Sequence, residues 1–206
     1  MTTLLLIRHA QTDWLGERLA GRTPDVHLNA AGRKRAEEVA AMLRPIALEA
    51  VYSSPLERAL ETAEPTARAA GKRIRIDERL QEVDFGELSG KPYAEFKKQP
   101  IWDDIHIRPA EIRFPGGESL QEVQDRSAGI LREIGGGRIS GAAAIFTHAD
   151  TIRLALAYFL RIPLAAYHAL VVAPASVSVL SFNRKGAVRL IGVNLPPGTP
   201  LEGIPG

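Results

Sequence analysis

Four side chains in this sequence have the types and placements to hold and attack an anion. Arg8 and His9 follow directly on the apolar run Leu4-Leu5-Leu6-Ile7. Arg58 lies just beyond Ser54-Pro55-Leu56-Glu57, and His148 ends the apolar stretch from Ala142 to Thr147. Arginine matches a phosphate group by bidentate hydrogen bonds, and a phosphate monoester carries close to two negative charges near neutral pH. A neutral imidazole can attack phosphorus and hold the phosphoryl group covalently, dividing one slow hydrolysis into two easier steps. Cationic clamps and positioning then supply most of the acceleration. A carboxylic acid must still protonate the leaving alkoxide, and residues 77–87 offer Asp77, Glu78, Glu82, Asp84 and Glu87. A lone histidine at a strand end is more often structural, and most surface arginines are merely solvated. Convergence of all four on one edge is what would make them an anion site.

The surrounding elements must supply that convergence. The continuous run at residues 4–7 suits a strand buried on both faces of a parallel sheet. From Asn29 the pattern turns helical, with Ala36, Val39, Ala40 and Leu43 on one stripe and Pro45 as the stop. A second strand is expected at about Ala50–Ser53. Ser54-Pro55-Leu56-Glu57 combines a capping Ser, a first-turn Pro and an acidic third position, which puts Arg58 in a helix's first turn. A third strand is expected at Lys72–Ile76. Residues 91–117 hold four prolines and Trp102 without clear period and read as an irregular or partly helical insertion able to cover a site. Ser119 and Glu122 form a capping box for a helix that runs to Gly135-Gly136-Gly137. Ala142–Thr147 is the next strand, followed by a helix at Thr151–Leu160. A terminal hairpin pairs residues 176–179 with 187–193 across a turn at Asn183-Arg184-Lys185-Gly186. This alternation predicts an α/β three-layer sandwich with a mostly parallel central sheet, whose ligands bind beyond the carboxyl ends of the strands. One domain over residues 1–195 and a flexible tail at 196–206, with four prolines and three glycines, are expected.

Composition narrows the partners. The 206 residues include 26 basic and 24 acidic side chains, a net charge of +2 with no dense basic block, so nucleic acid is not the expected partner. At 45% hydrophobic and 24% charged, the chain reads as an ordinary globular protein. The absence of cysteine removes thiol catalysis and thiolate metal sites and fits the cytoplasm. No apolar run reaches the length of a membrane span, and charged Arg8 comes too early for a signal peptide. His27, His106 and His168 lack metal-ligand spacing and are expected to be structural or exposed, so neither metal nor other cofactor is expected. A homodimer is only the common default.

Five segments in order carry a resemblance. They are Leu6-Ile7-Arg8-His9-Ala10-Gln11-Thr12, Ser53-Ser54-Pro55-Leu56-Glu57-Arg58-Ala59-Leu60-Glu61-Thr62-Ala63, Leu80-Gln81-Glu82-Val83-Asp84-Phe85-Gly86-Glu87-Leu88-Ser89-Gly90, Pro115-Gly116-Gly117-Glu118-Ser119 and Thr147-His148-Ala149-Asp150. Together they resemble the motifs of the histidine phosphatase superfamily, also called phosphoglycerate-mutase-like. The resemblance implies that fold, and a metal-independent phosphatase acting on small phosphomonoesters through a phosphohistidine. It implies that His9 is the nucleophile, that Arg8, Arg58 and His148 line the phosphate pocket, and that Glu82 is the proton donor and later the base. It places Gln11, Thr12 and Gly21 on the substrate-facing loop, with Arg22 of Gly21-Arg22-Thr23 as an added cation. Ala10, Leu15 and Ala149-Asp150 depart from the usual pattern, and Leu15 stands where many members have a phosphate-touching Asn. Trp102, Arg108, Arg113 and Phe114 are the insertion's candidates for the organic part of a substrate, against a simpler role in packing and solvation. The chain is shorter than the cofactor-dependent mutases, which favours hydrolysis over a phosphoglycerate-type mutase. A non-catalytic phospho-ligand binding protein is the alternative from another class.

Overall fold

Alternation along an extended strand decides how the first apolar run is used. In the computed structural model, which describes residues 1–201 apart from the Arg138 side chain, that run lies within β1 (Thr2–Arg8). Leu5 and Ile7 pack on one side of the sheet with Val39 and Leu43, whereas Leu4 and Leu6 pack on the other with Ile130 and Ile152. These side chains are almost wholly buried, and each contributes about 1.5–3 kcal/mol by leaving water.

The remaining elements are α1 (Ala30–Leu43), β2 (Leu48–Ser53), α2 (Glu57–Ala70), β3 (Ile74–Ile76), α3 (Tyr93–Phe96), α4 (Ile101–Ile107), α5 (Leu120–Glu133), β4 (Gly141–Thr147), α6 (Ala149–Leu160), β5 (Val177–Phe182) and β6 (Val188–Leu195). Six strands form one sheet in the order β3-β2-β4-β1-β5-β6. The first four are mutually parallel, and β5 and β6 complete the sheet as an antiparallel hairpin. Helices α1 and α2 pack together on one face, α5 and α6 on the other. The expected three-layer α/β sandwich with its mostly parallel sheet is therefore the observed one.

Local signals worked unequally. Ser119 accepts a hydrogen bond from the Glu122 amide at 3.2 Å while the Glu122 carboxylate takes the Ser119 amide at 2.9 Å, so the capping box closes at both ends. Ser54 does not cap its helix: α2 begins only at Glu57, and the Ser54 hydroxyl is drawn away by His148. Helix α6 starts two residues before the expected Thr151, with His148 itself at the N-cap. The glycines at 135–137 lie inside a widened turn, Ile134–Arg138, whose helical backbone Gly137 breaks at φ +130°.

The segment at 91–117 contains α3 and α4, and it is anchored by Phe96, Ile105, Ile112 and Phe114 in a third apolar cluster with Val83, Phe85 and Leu154. Of the expected tail, residues 196–201 include a turn closed by the Thr199 amide on the Pro196 carbonyl at 3.1 Å, and Leu201 packs against the core. Residues 202–206 of that tail lie outside the described residues.

Candidate active site

The strand ends β1 and β4 and the first turn of α2 meet at a cleft of about 340 Å³. Parallel strands present their carboxyl ends at one edge, which is where the sequence pattern sends Arg8, His9 and His148. Arg8 donates through Nη1 to the Val172 carbonyl at 2.7 Å, while its buried Nε has no partner. Burial pulls its pKa down, opposed by the nearby Glu82.

His9 is fixed in one tautomer. Its Nδ1 lies 2.8 Å from the carbonyl oxygen of Ala10, and because a carbonyl can only accept, Nδ1 carries the proton and Nε2 keeps a free lone pair. Burial, reinforced by the Arg58 and Arg8 charges, holds the imidazole well below its usual pKa, so it is neutral at neutral pH. The Ala10 amide donates to Thr62 Oγ1 at 3.0 Å, and Thr62 donates in turn to the Arg58 carbonyl at 2.6 Å. The amide after His9 is thus committed to α2 and not to a ligand.

Arg58 is 1% exposed. Its Nη2 donates to the Gly21 carbonyl at 2.6 Å, whereas Nε and Nη1 are buried without partners. Burial lowers its pKa to about 10, which still leaves it charged at neutral pH. His148 is fully buried, with its ring centroid 5.2 Å from that of His9. Its Nε2 meets Ser54 Oγ at 2.8 Å. Ser54 Oγ accepts the Leu56 amide at 3.3 Å, and His148 Nε2 is the acceptor within reach of its own hydroxyl proton. His148 then carries its own proton on Nδ1, a buried donor without a partner.

Glu82 completes the group. Its Oε1 accepts from the Val83 amide at 3.1 Å and from the Thr151 amide and hydroxyl, both at 3.3 Å, leaving Oε2 for a proton. Burial raises the Glu82 pKa, with Asp150 adding to the rise, while the Val83 amide, Arg58 and Arg8 oppose it. Its loop is held from behind by Arg126, which donates to the carbonyls of Arg79, Gln81 and Glu82 and pairs with Glu118 at 2.9 Å.

Thus Arg8, His9, Arg58, Glu82 and His148 come together, and Thr12 and Gly21 line the same cleft. Two expected residues do not. Gln11 lines a different cavity, with Ala173, Pro174 and Asn194. Arg22 is spent on the Glu82 carbonyl at 3.1 Å and the Glu118 carboxylate at 2.8 Å, so it braces the acid loop instead of adding a cation. The insertion's candidates also lie elsewhere. Trp102 stacks edge-on against Tyr93 and Phe96, Phe114 is core, and Arg108 and Arg113 pair with Asp104 and Glu122.

The insertion instead contributes Tyr93, and the cleft also takes in Trp14, Arg18, Asp150 and Arg153. Arg153 donates to the Leu170 carbonyl and to Asp150, each at 2.9 Å. The spacing of Asp150 and Arg153, one helical turn apart just after His148, was the one signal that could have found this pair. Nothing local marks Tyr93 or Arg18.

These residues, one buried and one partly buried arginine and two neutral histidines beside a protonatable carboxyl, are equipped to hold a phosphoryl group and move it. A model of the histidine phosphatase superfamily (branch 1) matches residues 4–194. The chain is 34% identical over 155 residues to phosphoglycerate mutase-like protein 4 of Arabidopsis thaliana, covering 73% of this chain and 67% of that relative. It is 30% identical over 196 residues to phosphoserine phosphatase 1 of Hydrogenobacter thermophilus, covering 92% and 91%. The solved structure of a mycobacterial glucosyl-3-phosphoglycerate phosphatase superposes with a TM-score of 0.82 at 28% identity, over 94% of this chain and 98% of that one. With nearly its whole length matched and the motif residues gathered at one cleft, the chain belongs to the histidine phosphatase superfamily, branch 1.

Proposed function

We propose that the protein hydrolyses small phosphomonoesters by way of a phosphohistidine on His9. What supports this above all is the His9 tautomer: the Ala10 carbonyl holds the proton on Nδ1, and Nε2 is left as a neutral nucleophile among buried donors that lack partners. Arg8, Arg58 and His148 Nδ1–H take the phosphate oxygens, replacing water with fixed charge. His9 Nε2 attacks phosphorus, the bond to the ester oxygen breaks, and Glu82 passes its proton to the departing alkoxide. In the second step the Glu82 carboxylate removes a proton from water as that water attacks phosphorus. The P–N bond then breaks, inorganic phosphate forms, and Glu82 is again protonated. The positive charge needed by both steps comes from the chain's own side chains. A cleft of about 340 Å³ favours a small substrate, and Thr12 and Gly21 line the part next to the phosphate.

The test is release of inorganic phosphate from an aryl phosphate in excess chelator, with rapid acid-free trapping of the phosphoenzyme. Wild type is expected to turn over and to yield an acid-labile, alkali-stable phosphoprotein, and His9→Ala to do neither. Turnover that survives His9→Ala would sink the mechanism. Incubation with a phosphoglycerate is expected to give free phosphate and glycerate with no isomeric phosphoglycerate.

A further inference from the structure

Beyond the phosphate floor, the catalytic cleft is lined by apolar side chains from two segments: Trp14, Leu15 and Leu19 of the loop after β1, and Phe85 and Tyr93. Leu15 lines the cleft and is nevertheless 44% exposed, so its apolar surface is at the site and open to a ligand. Trp14 and Tyr93 are half-buried. A tight turn puts Leu15 there. The Leu15 amide donates to the Thr12 carbonyl at 3.3 Å and the Arg18 amide to the Trp14 carbonyl at 3.0 Å, with Gly16 at φ +80°, a conformation that suits glycine. The turn is held from outside, because the Tyr93 amide donates to the Glu17 carbonyl at 2.8 Å and Asn29 donates to the Asp13 carboxylate at 3.0 Å. The Tyr93 ring is itself packed against Phe96 and Trp102, with centroids 5.9 and 5.8 Å away. The apolar wall is thus set before any ligand arrives, and a ligand that covers it has little ordering cost to meet.

We propose that Leu15, with Trp14 and Tyr93, makes the cleft selective for phosphomonoesters of apolar alcohols, arylalkyl or branched alkyl, over esters whose alcohol carries a carboxylate. An apolar group laid on this wall takes the exposed Leu15 surface out of water. A carboxylate finds no comparable partner. At the mouth, Arg153 is committed to the Asp150 carboxylate and the Leu170 carbonyl, each at 2.9 Å, and Arg18 to the Gly90 carbonyl at 3.0 Å. Asp150 lines the same cleft and repels a second carboxylate, so the wall attracts one class of alcohol while Asp150 disfavours the other. As a statement about substrates this rests on the hydrolysis proposed above; as a statement about binding it rests on the wall.

The experiment compares kcat/KM of the full chain for 2-phenylethyl and 3-methylbutyl phosphate with that for 3-phosphoglycerate and O-phosphoserine. All four release an alkoxide, so the ratio reports the wall and not an activated leaving group. The apolar esters are expected to be favoured by about tenfold or more. Leu15→Asn is expected to lower that ratio by about fivefold or more and Leu15→Met to keep most of it, whereas a general folding defect would lower all four rates alike. Binding of 2-phenylethylphosphonate and 3-phosphonopropionate, followed by calorimetry, separates the wall from the chemistry, because neither has an ester bond to hydrolyse. The first is expected to bind more tightly, again by about tenfold. Equal or reversed preference in both measurements overturns the proposal, and so does a ratio that Leu15→Asn leaves in place. A protein that prefers the phenylethylphosphonate yet hydrolyses no ester would overturn the hydrolysis proposed above while upholding the wall.

Discussion

The arginines at the floor of the catalytic cleft and those at its mouth are kept in opposite conditions. Arg58 is buried and Arg8 is partly so, and each holds buried nitrogen atoms with no partner. At the mouth, Arg153 is tied to Asp150, and Arg18 donates to the Gly90 carbonyl at 3.0 Å and lies over the Trp14 ring. A buried guanidinium without its full set of partners is costly, and an arriving dianion removes that cost. Paired, half-exposed arginines gain far less from a ligand. On the proposed mechanism the floor would supply affinity for phosphate in general, and the mouth would discriminate among the groups attached to it.

Breaking the floor is expected to have the largest effect. Arg58→Ala lowers kcat/KM by about 10²–10³-fold and weakens inhibition by vanadate in parallel, while Arg58→Lys recovers only part because an ammonium cannot span two oxygens. Steady-state kinetics would check this, and a loss below about tenfold would mean that phosphate is held elsewhere.

Glu82→Gln ranks next. It is expected to slow alkyl phosphates by about 10²-fold or more and nitrophenyl phosphate far less, whose leaving group needs no proton. The acid must be protonated in the first step, so kcat/KM falls as pH rises through the Glu82 pKa. Asp150 holds that pKa up, and Asp150→Asn should therefore move the alkaline limb of the pH profile toward lower pH. A limb that stays in place or moves the other way would remove Asp150 from the account.

The smallest effect belongs to the mouth. Arg153→Ala is expected to reorder a panel of substrates by about tenfold or less while leaving inhibition by inorganic phosphate unchanged. An equal loss for every substrate and for phosphate would dissolve the distinction between floor and mouth.

The floor was legible in the sequence because its residues sit at fixed short distances from element ends. His9 follows the last residue of β1, Arg58 occupies the first turn of α2, and His148 follows β4. The mouth is assembled by packing between distant segments, and no period or cap announces it. Tyr93 arrives there because Phe96 and its neighbours anchor the insertion on Phe85. The errors have the same origin. Arg22 looked like a free cation until the loop carrying Glu118 closed on it, and Ser54 looked like a helix cap until His148 arrived from β4. Gln11 lies two residues from His9, a spacing that strict alternation would put on the cleft side, but β1 ends at Arg8 and the chain beyond it does not alternate.

The place of β1 in the sheet has a consequence for how the chain is made. Leu5 is flanked by Ala144 and Val179, so this buried central strand precedes both of its neighbours by most of the sequence. On the ribosome, α1, β2 and α2 emerge while β1 still has no partner on either side, and the run Leu4–Ile7 stays exposed until β4 and then β5 appear. A chain arrested before residue 177 would present β1 with one open edge, and such edges recruit other chains. A chain ending before the hairpin is therefore expected to aggregate more readily than the full one, which light scattering of the two would check.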